Sequence, residues 1–439
     1  MTLIYQRTKV AIFGSDASAF HIFNVYYKND DRYDVAAFIS PDQNSTDGKY
    51  PALLSGSLYD NGIEIISLSR IHTLFLKKSI DRIIMTPQSM ILGNYMNITA
   101  FSLAQKCTVI TYPFGKLQIP PPKAMVSFFS DTQFYMPIFM NFIELFLAAN
   151  ASPAVIIPMP EKLIGTHEYI EVSTLQTLGH HETKIDPELY DLCKEIIAKG
   201  LKTFFVLDFN KFSKDILGDD SFNVMFFFGY KSMPTFFSSH FLIYCCDDFT
   251  FGEHIDEHHS SIIAQQADLV LYCQVKVTDE SILKFKEFTK SQIFMVPVTY
   301  QVARSHCYQN QPVLAVDDNY SSVTCSATNS MACHIAENYN MKPVDPSRFK
   351  PYAGNKLLHE PNYLHVKSLP YPSIYNLSEF VNDVNSMMDI KAVLITSMKV
   401  LDLQLNKQIL HVQFDVNLTG ITREMVKLPR TFVKQWKKK

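Results

Sequence analysis

Apolar residues fall in short dense runs along the chain, and segments of helical period lie between them. KVAIFG reads as a continuous buried strand, FHIFNVYYKN as a helix and YDVAAFIS as the next strand. IEIIS, the helical IHTLFLKKS, DRIIMT, a helical stretch near Tyr95 to Gln105, and CTVITY follow at the same pitch. Strands that are apolar throughout and alternate with helices predict a parallel sheet covered on both faces. Residues 1–118 are therefore read as a Rossmann-like domain. LQIPPPK is the natural linker, because consecutive prolines stiffen the chain and cannot enter the centre of a sheet.

The alternation resumes over residues 119–311 with AMVSFF, a helix from Pro137 to Ala149, AVIIP, KTFFVLDF, NVMFFFG, FLIYCC, DLVLYCQV and QIFMVPV. Residues 312–439 carry VLAVDD, a small-residue helix around Ser326 to Glu337, AVLIT and a basic end. The fold class is α/β throughout, with no internal repeat. The most apolar window, Phe134 to Ala149, holds Pro137, Asn141 and Glu144 and falls short of the roughly twenty apolar residues of a membrane span. It predicts a buried or interface helix and a protein that is not transmembrane.

Composition narrows the chemistry. A net charge of -3 over 439 residues gives no general pull toward nucleic acid, so none is expected as a partner. Fourteen glycines are about half the usual share of roughly 7%. Phosphate-cradling loops need glycine because their backbone must approach the ligand closely, so phosphate chemistry is disfavoured. The eight cysteines include no C-x-x-C pair, which fits reduced thiols in an intracellular protein. MTLIYQRTKVAIFG enters a strand pattern at once, so no cleaved hydrophobic signal is expected.

Six separated strings give a more specific indication: GSDASAFHIFN, KYPALLSGSLYDNGIEI, PMP, VDD before a small-residue helix, VDP and LPYPS. In that order and spacing, across nearly the whole chain, they resemble the cyclic 2,3-diphosphoglycerate synthetase family. The resemblance implies an ATP-dependent enzyme with an N-terminal Rossmann-like part and a P-loop NTPase part. The family's first loop has the pattern G-x-x-G-R-D-F-H-x-F-N. Gly14, Phe20, His21, Phe23 and Asn24 match it, while Ala17, Ser18 and Ala19 stand where the inner Gly, Arg and Asp belong. Gly14, His21 and Asn24 are the residual candidates for binding a cofactor or metabolite, although a helix start packed on the sheet explains the same residues.

VSFFSDTQFYMP occupies the place of the family's P-loop. Such a loop needs glycines whose N–H groups converge on phosphate, a lysine for the β/γ charge and a Ser or Thr for magnesium. The aligned positions are Thr132, Phe134, Tyr135 and Met136, which bring bulk and no cation, and Asp131 adds a negative charge. Asp131 or Thr132 is expected to cap the helix. A Walker B strand would end in Asp where NVMFFFG has Phe228. A base-reading N-K-x-D would stand at Cys273, Gln274, Val275 and Lys276. The second domain is thus expected to be a degenerate P-loop NTPase-like unit.

Other constellations are weaker. His254, Glu257 and His258 form an H-x-x-E-H string suited to zinc, but no downstream ligand supports it, and no metal is expected. Asp247, Gly252, His258, Asp317, Asp318, Asp345 and Pro346 match the family and are equally suited to turns and caps. The tail RTFVKQWKKK offers Arg430, Lys434 and Lys437 to Lys439 around Trp436 for peripheral contact with anionic lipid or RNA.

The expected function is a catalytically inactive synthetase-like pseudoenzyme, not an enzyme, with no catalytic residues and no cofactor. It would serve as a structural or accessory subunit of a large intracellular complex, placed in the mitochondrion with the cytoplasm as the alternative, and with protein subunits as partners. Thirty-three Phe and twenty-two Tyr suit such a role, since aromatics are enriched at interfaces. The alternatives are an ATP-dependent ligase or kinase of the same family with a site rewired around Asp247, His258 and Asp317, to which Lys123 or Lys162 would have to swing in from the flanks as the phosphate cation, and a module that binds a metabolite without turnover through Gly14 and His21.

Overall fold

The computed structural model describes residues 7–40, 48–86, 92–112, 114–130, 132–229, 236–247, 263–275, 286, 289–319, 322–325, 331–344, 382, 384–396, 405–422 and 426–437. It is a mixed α/β protein with two largely parallel sheets. The first comprises β1 (Thr8–Phe13), β2 (Tyr33–Ser40), β3 (Gly48–Tyr50), β4 (Ile63–Ser67), β5 (Arg82–Met85) and β6 (Thr108–Thr111), in the order β3-β4-β2-β1-β5-β6. Every pairing in it is parallel except β3 with β4.

Strand alternation explains why both faces of this sheet are covered. Val10 and Ile12 join Phe20 and Phe23 of the first helix (Ala17–Tyr26) in one cluster. Ala11 and Phe13 join Ile71, Leu74 and Ile98 from the helices Ile71–Lys78 and Leu92–Ala104 in another. Asp16 caps the first helix by accepting from the Ala19 N–H at 2.9 Å, which fixes the helix start at Ala17.

The second sheet comprises β7 (Ala124–Ser130), β8 (Pro153–Pro158), β9 (Tyr169–Val172), β10 (Thr203–Val206), β11 (Val224–Phe228), β12 (Phe241–Asp247), β13 (Leu269–Gln274), β14 (Gln292–Val302), β15 (Pro312–Asn319), β16 (Ser322–Cys325), β17 (Lys342–Pro343), β18 (Ala392–Ile395) and β19 (Gln408–Val416). Its main path runs β16-β15-β18-β19-β14-β13-β12-β7-β11-β8-β10-β9, with β17 beside β15. The first half of β14 pairs parallel with β13 and its second half pairs antiparallel with β19, so one strand carries the sheet into the C-terminal segment.

β7 lies in the middle of this sheet, parallel to β11 on one side and β12 on the other. It leads directly into the apolar helix Tyr135–Ala148, whose Ile138, Phe139, Phe142 and Ile143 are fully buried. The helix begins two residues before the expected Pro137. Proline is tolerated there because N–H groups of the first turn have no partner within a helix. No helix among the described residues is long and apolar enough to cross a membrane.

The two sheets meet along the first helix. His21 donates through Nε2 to the Leu117 carbonyl at 2.6 Å, and its ring packs edge-on against Phe209 and Phe236. Lys28 pairs with Asp208 at 3.2 Å, and the Ile119 N–H donates to the Phe236 carbonyl.

Candidate functional site

The turn after β7 is where a phosphate would sit in the fold implied by the sequence, and protein fills it. Ser130 Oγ donates to the Thr132 carbonyl and accepts from the Thr132 N–H, at 3.1 and 3.2 Å. Thr132 Oγ1 accepts from the Phe134 N–H at 3.4 Å. Two of the N–H groups that a P-loop would aim outward are therefore turned onto hydroxyls of the turn itself. Phe134 stands at the N-cap position with no side-chain cap bond, and Thr132, two residues before it, bonds the Phe134 N–H instead of capping the helix. Asp131 lies outside the described residues.

The aromatic side chains complete the filling. Phe134 is 0% exposed and packs edge-on against Phe414 of β19, ring centroids 5.1 Å apart. Tyr135 is 4% exposed and lies 5.4 Å from Phe228, the residue at the Walker B position. Phe228 in turn lies 4.8 Å from Phe139 and stacks on Phe128. Burial and the carboxylates of Glu188 and Asp186 push the Tyr135 phenol further above its ordinary range, so it stays neutral. The positions that would hold phosphate and magnesium are joined by ring contacts.

The third nucleotide position agrees. Cys273, one residue before the end of β13, is buried with its sulfur 3.8 Å from that of Cys245, and burial raises its thiol well above the usual range. Lys276 lies outside the described residues. Lys123 immediately precedes β7, so seven strand residues at about 3.3 Å each separate it from the turn, and it lies over the Phe222 ring instead. Lys162 follows β8, parallel in the same sheet, and is exposed on the edge where the turn lies.

At the first loop, Gly14 adopts φ +136°. A Cβ there would come within 3.0 Å of Thr86 Cγ2 and 3.1 Å of Ala19 Cβ, so the space that a glycine opens is taken by protein. His21 is 1% exposed, and burial lowers its pKa to about 4; it is neutral near pH 7 and presents no cation to a ligand. The Tyr50 hydroxyl donates to Asn24 Oδ1 at 3.5 Å. Ser18 Oγ, His21 Nδ1 and Asn24 Nδ2, three residues apart on one stripe of the helix, are buried with no hydrogen-bond partner among the described residues.

The remaining candidates do not assemble with these. Asp247 is buried at the end of β12, and Asp317 and Asp318 lie in β15, beyond β13, β14, β19 and β18 from it. Gly252, His254, Glu257, His258, Asp345 and Pro346 lie outside the described residues. Among the described residues, no group of three or more His, Cys, Asp or Glu is placed to hold a metal. Sequence reasoning missed Asp208, which pairs with Lys28 and also caps the helix Phe209–Asp215 by accepting from the Lys211 N–H. An Asp directly after an apolar strand was the available signal for the cap, and nothing local marks the ion pair.

No family model matches the chain. Among curated proteins it is 32% identical over 80 residues to arginine synthetase ArcE of Thermococcus kodakarensis, a match that takes in 18% of either chain. Among solved structures it is similar to LpxK of Aquifex aeolicus, described as an "apo" form in complex with ATP, at 12% identity and a TM-score of 0.35, covering 80% of this chain and 99% of that one. The relationship to synthetases is distant. It nevertheless corrects one expectation, that the chain is not an enzyme: the matching relative is named a synthetase. The physical reason is that losing glycine and lysine at one turn removes one phosphate cradle and says nothing of chemistry elsewhere in the chain.

Proposed function

We propose that the chain is a structural or accessory subunit of a larger intracellular protein assembly, mitochondrial by preference. Its fold derives from the cyclic 2,3-diphosphoglycerate synthetase family, with the phosphate turn converted into core. The observation that carries this reading is the packing of the turn by Phe134 against Phe414 and by Tyr135 and Phe139 against Phe228, where a phosphate loop would keep open space. The experiment is purification from the native source with identification of co-purifying subunits, alongside calorimetry against ATP, GTP and phosphoglycerates. Stable partners at fixed stoichiometry support the reading; a monomer without partners removes it.

The name of the relative favours a second reading, an ATP-dependent ligase or kinase with a rewired site. It needs a cation to swing in from the flanks, and exposed Lys162, after β8, is the candidate. Turnover of ATP that is lost in Lys162→Ala supports this reading, and turnover unchanged in that variant removes Lys162 from it.

A further inference from the structure

The first helix turns two different faces to its surroundings. Phe20 and Phe23 pack on its own sheet, fully buried. Ala17, His21 and Asn24 lie on another stripe, which Lys28 continues just past the helix end. That stripe meets the second sheet: Ala17 joins the cluster of Phe209, Phe227, Phe236 and Phe237, His21 packs edge-on against Phe209 and Phe236 at 5.6 and 5.1 Å, and Lys28 pairs with Asp208. Among the described buried residues, Ala17 is the one member of the first helix in that cluster. Polar groups therefore dominate this side of the seam, and His21 Nδ1 and Asn24 Nδ2 are buried with no hydrogen-bond partner among the described residues. Inter-domain contacts of this polar kind separate more readily than large apolar ones.

We infer that the seam is a latch, held by neutral His21 and the Lys28–Asp208 pair, that opens as a unit while both sheets stay folded, and that protonation of His21 opens it. In the closed seam His21 Nε2 donates to the Leu117 carbonyl, and a proton on Nδ1 finds no acceptor. The charged groups on the elements packed around the ring do not supply one. Asp208, whose field acts on His21, is paired with Lys28, and Lys211 of the same helix is paired with Asp215 at 3.0 Å. Asp16 caps the first helix, and Lys116 beside Leu117 and Lys214 are exposed. His240, after the Phe236–Phe237 segment, accepts the Met125 N–H through Nδ1. Opening hydrates the charged ring, which the closed seam cannot do.

Hydrogen–deuterium exchange of the full chain at pH 7 and pH 5 tests this, each rate divided by that of the unstructured chain. A ring with pKa about 4 when closed and 6.5 when open raises the opening equilibrium about twentyfold between those conditions. That loss of protection is expected in peptides covering residues 17–28, 114–119, 207–212 and 236–238, and not in those covering strands 8–13 and 124–130. His21→Gln, which can still donate to the Leu117 carbonyl, is expected to show the same protection at both pH values. Protection lost equally in the strand peptides overturns the inference, because the chain then unfolds as a whole. So does seam protection that is independent of pH, or that falls equally in His21→Gln.

A second variant keeps the imidazole. Lys28→Met removes the ion pair and leaves Asp208 on its own helix cap, so exchange of the same seam peptides is expected to be roughly tenfold faster at pH 7, with the strand peptides unchanged. Seam exchange unchanged in this variant, or exchange that rises in seam and strands together, contradicts the inference.

Discussion

Phe134 decides what the turn after β7 can be. Its ring is fully buried against Phe414, so Phe134→Ala should cost about 3–5 kcal/mol in denaturant unfolding. Tyr135→Lys, which puts the P-loop lysine at the neighbouring aligned position, should also destabilise because it buries an unpaired charge. Stability retained in the lysine variant would mean that the position is open. His21 makes a separate prediction. Its pKa falls from 6.5 in the unfolded chain to about 4 in the fold, so the unfolded state binds more protons between those values. Stability is fully present above pH 6.5 and falls as pH drops toward 4, by about 3 kcal/mol from this group. His21→Gln, which can still donate to the Leu117 carbonyl, should lose that part of the acid sensitivity; denaturant titrations across this range measure it.

The elements were more legible in the sequence than their partners. KVAIFG, YDVAAFIS and AMVSFF announce themselves as strands because each is apolar throughout, and each is buried over most of its length. β14 was legible as QIFMVPV, but its extension to Val302 and its double pairing with β13 and β19 were not, since pairing depends on residues distant in sequence. The candidate site divides in the same way. The loss of glycine and lysine from the turn can be read directly, whereas its filling by Phe414 and Phe228 cannot. Asp208 carries the prediction proper to this scale, since it caps one helix and anchors Lys28, just past the end of the first helix. Asp208→Ala should cost about 1–2 kcal/mol through the cap alone, and Asp208→Asn, which keeps a capping oxygen, should recover most of it. Equal losses in thermal or chemical unfolding would assign the effect to the ion pair instead.

At the scale of the whole molecule, the first sheet is locked to the second through His21, Leu117, Phe209 and Phe236, and the second runs on without a break into the C-terminal segment. A chain held together this way has both sheets supported by packing and strand pairing. That the turn is core is the central claim. Hydrogen–deuterium exchange of the full chain with and without saturating Mg·ATP tests it most directly, read on peptides spanning residues 124–148. The account predicts superimposable exchange for those peptides; protection of residues 130–136 by the nucleotide would contradict it.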